Sequence, residues 1–125
     1  MNTDGVLGEA IEVLEIASLG TLREQDGPRA PFTRGEWDYA FARSDPERRL
    51  AARLAAKRAA ACALGGGLAP EDVEVVRAPG GPPRLRLSER AGARLRALGG
   101  ARVLVSLTHG RTHAAASVLV VRDAS

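Results

Sequence analysis

Ser44-Asp45-Pro46-Glu47-Arg48-Arg49-Leu50 opens a run that continues to Leu64 and stops at Gly65-Gly66-Gly67. Ser44 and Glu47 have capping-box spacing, in which a hydroxyl and a carboxylate satisfy the free amides of a helix's first turn. Pro46 falls in that turn, where a missing N–H costs nothing. The body is mostly Ala, Leu and Arg, which are good helix formers, and Gly65 supplies the stop. The stretch predicts one long helix. Leu50, Leu54, Ala61 and Cys62 share a face by helical spacing, and Arg58 lies on it between Leu54 and Cys62. A charge on a face that should be buried either snorkels to the rim or needs a partner or ligand.

Working outward, Thr33 and Glu36 repeat the capping-box spacing. They start a short helix through Phe41 that would bury Trp37 and Phe41, one turn apart. Leu19 to Pro31 reads as a loop, with Gly20, Gly27, Pro28 and Pro31. Before it, Ala10-Ile11-Glu12-Val13-Leu14-Glu15-Ile16 alternates and is rich in β-branched residues, as a strand is. Glu12 would share a face with Leu14 and Ile16, and Glu15 with Ile11 and Val13. A helix over Leu7–Leu19 is the competing reading.

On the other side, Asp72–Arg77 and Arg84–Leu87 alternate around the turn Ala78–Pro83 and form a hairpin. Ser88 to Leu98 reads as a helix capped by Ser88. Ala101–Thr108 and Ala114–Arg122 are two more strands, joined by a turn flanked by His109 and His113. The class is α+β, an antiparallel sheet packed on the long helix, in a single domain over residues 1–125.

Composition bounds the function. A chain of 125 residues supports one core. Phe32, Trp37, Tyr39 and Phe41 are the only aromatics, so aliphatic side chains must fill that core. A net charge of +3 suits an acidic or phosphate-bearing partner. No basic run is interleaved with aromatics, so nucleic acid is not expected. The single cysteine, Cys62, excludes a disulfide framework and a cysteine zinc site. No signal peptide or membrane span is visible, and a cytoplasmic location is expected. Gly65-Gly66-Gly67 follows a helix, whereas phosphate sits at helix N-termini; the triplet reads as a C-cap.

The motifs resemble those of the holo-acyl-carrier-protein synthases, the small trimeric class of 4'-phosphopantetheinyl transferases, over nearly the whole chain. Ala10–Ile16 sits at the family's metal-binding strand. Phe32-Thr33-Arg34-Gly35-Glu36 matches F-T-x-x-E. Arg53-Leu54-Ala55-Ala56-Lys57-Arg58-Ala59 matches the family helix. Asp72-Val73-Glu74-Val75, then Gly81-Pro82-Pro83, matches its hairpin. Val105-Ser106-Leu107-Thr108-His109, then Ala114-Ala115-Ala116, matches its last two strands.

The resemblance implies a phosphopantetheinyl transferase-like fold, a homotrimer with sites between subunits, and transfer of phosphopantetheine from coenzyme A (CoA) to a serine of an acyl carrier protein. It implies a role in fatty-acid or polyketide synthesis. Arg53, Lys57, Thr108 and His109 would contact CoA, and Gly65 would let it approach. Magnesium, held in the family by a strand Asp and a helix Glu, bridges the CoA pyrophosphate. Here Glu12 stands for the Asp and Arg58 replaces the Glu. Cys62 replaces a Lys. A guanidinium at the metal's place repels a cation that demands oxygen ligands, so no family-type magnesium site is expected.

Three activities are consistent with Glu12, Arg58, Cys62 and His109 in those positions. Transfer persists in weakened form, with Arg58 acting as a built-in cation paired with Glu12. Transfer is lost, leaving a module that binds CoA or carrier protein. Or the protein is a repurposed enzyme acting on acyl groups carried by CoA or carrier protein, with Glu12, Cys62 or His109 as base or nucleophile.

Overall fold

The computed structural model describes residues 5–123. Its elements are β1 (Val6–Glu15), α1 (Arg34–Phe41), α2 (Pro46–Ala63), β2 (Val73–Arg77), β3 (Pro83–Leu87), α3 (Glu89–Ala97), β4 (Arg102–His109) and β5 (His113–Val121). Short 3-10 turns lie at Ile16–Leu19, Glu24–Asp26 and Pro70–Asp72. The expected α+β class holds. The strands, however, divide into a three-stranded sheet of order β1-β5-β4 and a separate β2-β3 hairpin, all antiparallel.

The strand reading of residues 10–16 prevails over the helix at Leu7–Leu19. Alternation decides it, because β1 has two different faces. Ala10, Glu12 and Leu14 point inward, in rungs with Val118, Ala116 and Ala114. Ile11 and Val13 point outward, in rungs with Ser117 and Ala115. Ile16 does not join the inner face as a strand residue, because the chain has already turned into a 3-10 segment.

Helix α2 lies across the inner face and is buried on nearly every side. Leu50, Ala51, Ala55, Ala56, Ala59 and Ala60 have no exposed surface. Its alanines meet Ala114 and Ala116 of β5, which are also buried. Small side chains on both surfaces let helix and sheet approach closely, so packing contact replaces bulk. Gly8 is part of the same fit, since a Cβ there would collide with the Ala63 carbonyl oxygen.

The ends of α2 differ from expectation at the start and agree at the stop. Asp45, not Ser44, is the N-cap residue, and neither side chain caps. Pro46 occupies the first helical position, and Asp45 Oδ1 instead accepts from Arg49 Nε at 2.8 Å. At the other end Gly66 N–H donates to Ala61 O at 2.7 Å and Gly65 N–H to Cys62 O at 3.0 Å. These two bonds form a Schellman motif, and Gly65 has the positive φ of +101° that it requires. Arg94 of α3 adds a lid, donating from Nη1 to Leu64 O at 2.9 Å and Gly66 O at 2.6 Å.

The Thr33–Glu36 capping box is present at α1. Trp37 is buried, with its ring 4.9 Å from that of Phe41 and its indole N–H on Glu24 O at 3.1 Å. Phe41 is only half-buried. Ser88 caps α3, accepting from Ala91 N at 3.1 Å. Among the described residues no helix is long and apolar enough to cross a membrane.

The outer face of the three-stranded sheet carries large apolar side chains in the open. Ile11 is 74% exposed and Val13 61%. Leu104 and Leu119, opposite each other on β4 and β5, belong to the same face and are 43% and 36% exposed.

Candidate functional site

Two sets of side chains stand out along α2. The first surrounds an open cleft of about 540 Å³ where the N-terminal half of α2, the end of β4 and the tip of the β2-β3 hairpin converge; Arg49, Arg53, Arg77, Thr108 and His109 line it. Helical spacing puts Arg49 and Arg53 on one face. Arg77 comes from the end of β2. Thr108 and His109 are neighbours on a strand and therefore point to opposite faces: Thr108 is exposed on the outer face and His109 is half-buried on the inner one.

Two polar atoms here lack a partner. Among the described residues, Arg53 Nε and His109 Nδ1 are both buried and make no hydrogen bond. A buried polar atom left unpaired is costly, and both belong to residues lining the same cleft. Burial lowers the pKa of Arg53, against the raising influence of Tyr39 and Glu36. Burial pushes the Asp45 carboxyl up, but the Arg49 hydrogen bond and the charges of Arg49 and His109 outweigh it and hold its pKa below the usual value.

The second set lies near the other end of α2. Arg58 and Cys62 are exposed. The expectation that they share the buried face with Leu50 and Leu54 is therefore corrected. The buried surface of α2 is defined by its alanines, and the 58–62 stripe is what remains open. Arg58 borders an apolar recess of about 200 Å³ with Leu54, Ala61, Leu68, Pro31 and Pro70. Among the described residues Arg58 forms no ion pair, with Glu12 or with any other acid. Glu12 is half-buried on the inner face of β1, in the rung of Ala116 and Leu107.

Lys57, which the resemblance sets against CoA, is buried, and its three N–H donors are occupied. Nζ donates to Glu36 Oε1 at 2.9 Å, Glu36 Oε2 at 3.1 Å and Val73 O at 2.7 Å. Glu36 is fully buried and also accepts from Val75 N at 2.8 Å and Thr33 N at 2.9 Å. The pair ties α1, α2 and β2 together and leaves no donor for a phosphate. Gly65 likewise has a structural partner, since a Cβ there would stand 3.2 Å from Arg94 Nη1.

Cys62 and His109 are not brought together within one chain. His109 borders the cleft beside Arg49, and the thirteen helical rises from Arg49 to Cys62 span about 20 Å. The Cys–His pair needed for thioester chemistry does not form there. His113 is exposed on its turn, with Nδ1 2.9 Å from Thr112 Oγ1.

The residues do not fit the family's divalent cation. The position matched to the family's helix Glu carries a guanidinium, which has donors and no acceptor.

No family model matches the chain. Individual relatives do. A holo-acyl-carrier-protein synthase of Moorella thermoacetica is 40% identical over 124 residues, covering 92% of this chain and 94% of the relative. The chain belongs to the holo-acyl-carrier-protein synthase family. Another holo-acyl-carrier-protein synthase, from Koribacter versatilis, is 34% identical over 92% of this chain and 98% of its own length. The Nitratidesulfovibrio vulgaris synthase is 51% identical over 81 residues, and that match spans 65% of the relative.

Solved structures agree with the family's fold. The acyl carrier protein synthase of Mycobacterium tuberculosis superposes with a TM-score of 0.71 at 33% identity, over 95% of this chain and 100% of that one. A Bacillus anthracis holo-acyl-carrier-protein synthase, solved in complex with CoA (3',5'-ADP), gives a TM-score of 0.72 at 24% identity, over 95% and 99% of the two chains.

Sequence reasoning missed Arg49 and Arg77, which line the cleft, and Tyr39, whose ring centroid lies 4.0 Å from Arg53 Cζ. Only Arg49 left a signal, one turn before Arg53. The placement of Arg77 and Tyr39 depends on tertiary packing.

Proposed function

We propose that this chain binds the phosphate-bearing end of CoA in the Arg49–Arg53–Arg77–His109 cleft and transfers its phosphopantetheine arm to a serine of an acyl carrier protein, slowly. The observation that carries the reading is the pair of unpartnered buried polar atoms, Arg53 Nε and His109 Nδ1, on one basic cleft in a chain of this family. Guanidinium groups suit phosphate because they donate in pairs and stay charged.

Arg58 is the reason for slowness. Its guanidinium can stabilise charge on the adenosine 3',5'-bisphosphate that leaves when the serine oxygen attacks the pantetheine-bearing phosphorus and the P–O–P bridge of CoA breaks, but it cannot generate a base from bound water. Arg58, Glu12 and His109 remain the residues proposed for the chemical step, and Arg53, Thr108 and His109 those for CoA. A second reading, a non-catalytic module for CoA or carrier protein, is favoured by the exposed Cys62 in the place of the family's Lys.

A mass-spectrometric assay separates them. Protein, CoA and an apo acyl carrier protein are incubated with magnesium or with EDTA. A gain of one phosphopantetheine mass in both supports metal-free transfer. A gain with magnesium alone overturns the reading of Arg58. No gain with retained CoA binding moves the weight to the binding module.

The same proposal includes a homotrimer of single-domain chains, acting in the cytoplasm. Its support is the exposed apolar sheet face of Ile11, Val13, Leu104 and Leu119, since monomers rarely leave so much contiguous apolar surface in water. A trimer would also cover Thr108 on that face. Light scattering should give about three times 13.1 kDa, and an Ile11→Glu, Val13→Glu variant should give one chain. A monomeric wild-type protein at micromolar concentration would sink the trimer.

A further inference from the structure

Three guanidiniums converge on Tyr39, and none of them is neutralised. Arg43 Cζ lies 3.6 Å from the ring centroid and Arg53 Cζ 4.0 Å. At these distances the two groups cannot share one face of the ring, so each takes its own. Arg77 Nη1 approaches the hydroxyl at 3.4 Å, while its Nε is fixed by Gly81 O at 2.8 Å. Arg43 Nη1 donates to the Tyr39 carbonyl at 3.0 Å. Among the described residues no carboxylate pairs with Arg43, Arg53 or Arg77.

This is an unusual way to hold arginines. A carboxylate would hold them by cancelling their charge. An aromatic ring holds a guanidinium through its quadrupole, leaving the positive charge and most N–H donors free. Burial pushes the Tyr39 phenol up, but the Arg77 hydrogen bond and the Arg53, Arg43 and Arg77 charges together bring its pKa below the ordinary value. A second recess, of about 480 Å³, is lined by Tyr39, Arg43, Arg77 and the turn at Ala78–Gly81. Arg77 lines both this recess and the main cleft, so the two adjoin at its side chain, and the basic groove is this pair of neighbouring openings.

We propose that Tyr39 is the positioning residue of this groove: its ring clamps Arg43 and Arg53 on opposite faces and its hydroxyl steadies Arg77, so that three uncompensated guanidiniums are presented to a ligand bearing several phosphates. The inference deepens the cleft reading given above and rests on it. Tyr39 touches no phosphate itself and acts through the arginines. A ligand with a single negative charge gains little from such an array, whereas one with phosphates at two places engages both ends of the groove.

Titration calorimetry with CoA tests it, on wild-type protein, Tyr39→Leu and Tyr39→Phe, with folding followed by thermal midpoint. Tyr39→Leu removes both ring faces and should weaken CoA binding about tenfold, the worth of two partly desolvated cation–π contacts. It should also flatten the dependence of affinity on salt, because fewer phosphate contacts are made. A purely structural role would move the midpoint without changing the salt slope. Tyr39→Phe keeps the ring and should recover most of the loss. Wild-type and Tyr39→Leu proteins that bind CoA equally, with the same salt slope, overturn the positioning role and leave the cleft reading standing. Equal losses in Tyr39→Phe and Tyr39→Leu overturn the ring clamp. A wild-type protein that binds no CoA overturns the cleft reading, and the role of Tyr39 with it.

Discussion

Replacing Arg58 by Glu, together with Cys62→Lys and Glu12→Asp, should make the protein magnesium-dependent, with phosphopantetheine transfer rising about 10²-fold or more when magnesium is supplied. Magnesium needs several hard oxygen ligands in near-octahedral geometry. The wild-type chain offers Glu12 and, at the matching helix position, a guanidinium that is exposed and unpaired among the described residues. Two cations cannot occupy one small site without mutual repulsion. Exchanging Arg58 for Glu reverses the sign of that position, and shortening Glu12 to Asp adjusts the reach by one methylene. The measurement is transfer rate against magnesium concentration, with CoA affinity recorded in parallel. Wild-type transfer that is already abolished by EDTA would show that Arg58 does not stand in the way.

Removing either member of the Lys57–Glu36 pair should cost about 3–5 kcal/mol of stability, because it leaves a buried charge without its partner. The side chains are 1% and 0% exposed, so solvent screening offers no relief. Glu36→Ala also strips the acceptor from Thr33 N and Val75 N, whereas Lys57→Met leaves Glu36 with those two amides. Equilibrium urea unfolding of both single variants and the double variant tests the coupling. The double variant should be more stable than the sum of the single losses predicts, by about 1–3 kcal/mol. Strict additivity would mean that the two charges do not depend on each other. Lys57→Met should leave CoA affinity unchanged wherever the protein is folded, since Nζ faces Glu36 and Val73 and not the cleft.

The elements were legible where local chemistry alone determines them. The Thr33–Glu36 box, the glycine stop after Leu64 and the alternation of residues 10–16 all state their structure within a few residues. The start of α2 was misplaced by one position because Ser44–Glu47 spacing mimics a box that Pro46 displaces. The buried face of α2 was misread for a different reason. Large apolar residues usually mark a core, but here Ala55 and Ala56 cluster with Ala114 and Ala116, and Ala59 and Ala60 with Val118 and Val120, and these helix alanines carry almost no signal of their own. Helical spacing placed Arg58 among Leu54 and Cys62 correctly, but whether that stripe is covered is a tertiary fact.

The site was less legible than the fold. Arg53, Thr108 and His109 do border one cleft. Lys57 belongs to α1 and β2 through Glu36, a residue twenty-one positions earlier, and no local pattern announces a buried pair across such a distance. Tyr39 could be seen as one of four aromatics, but not as the surface on which arginines from α1's end, α2 and β2 meet.

Helix α2 has a further property that follows from its burial. Its residues belong to both apolar clusters of the protein, Leu50 to Ala56 to one and Ala59 to Ala63 to the other. Neither half of the core can loosen while the helix stays folded, so no smaller opening exposes its central peptide groups. In heavy water the amides from Leu54 to Ala60 should be the last to take up deuterium, and should do so at one common rate. That rate would measure the lifetime of the whole fold.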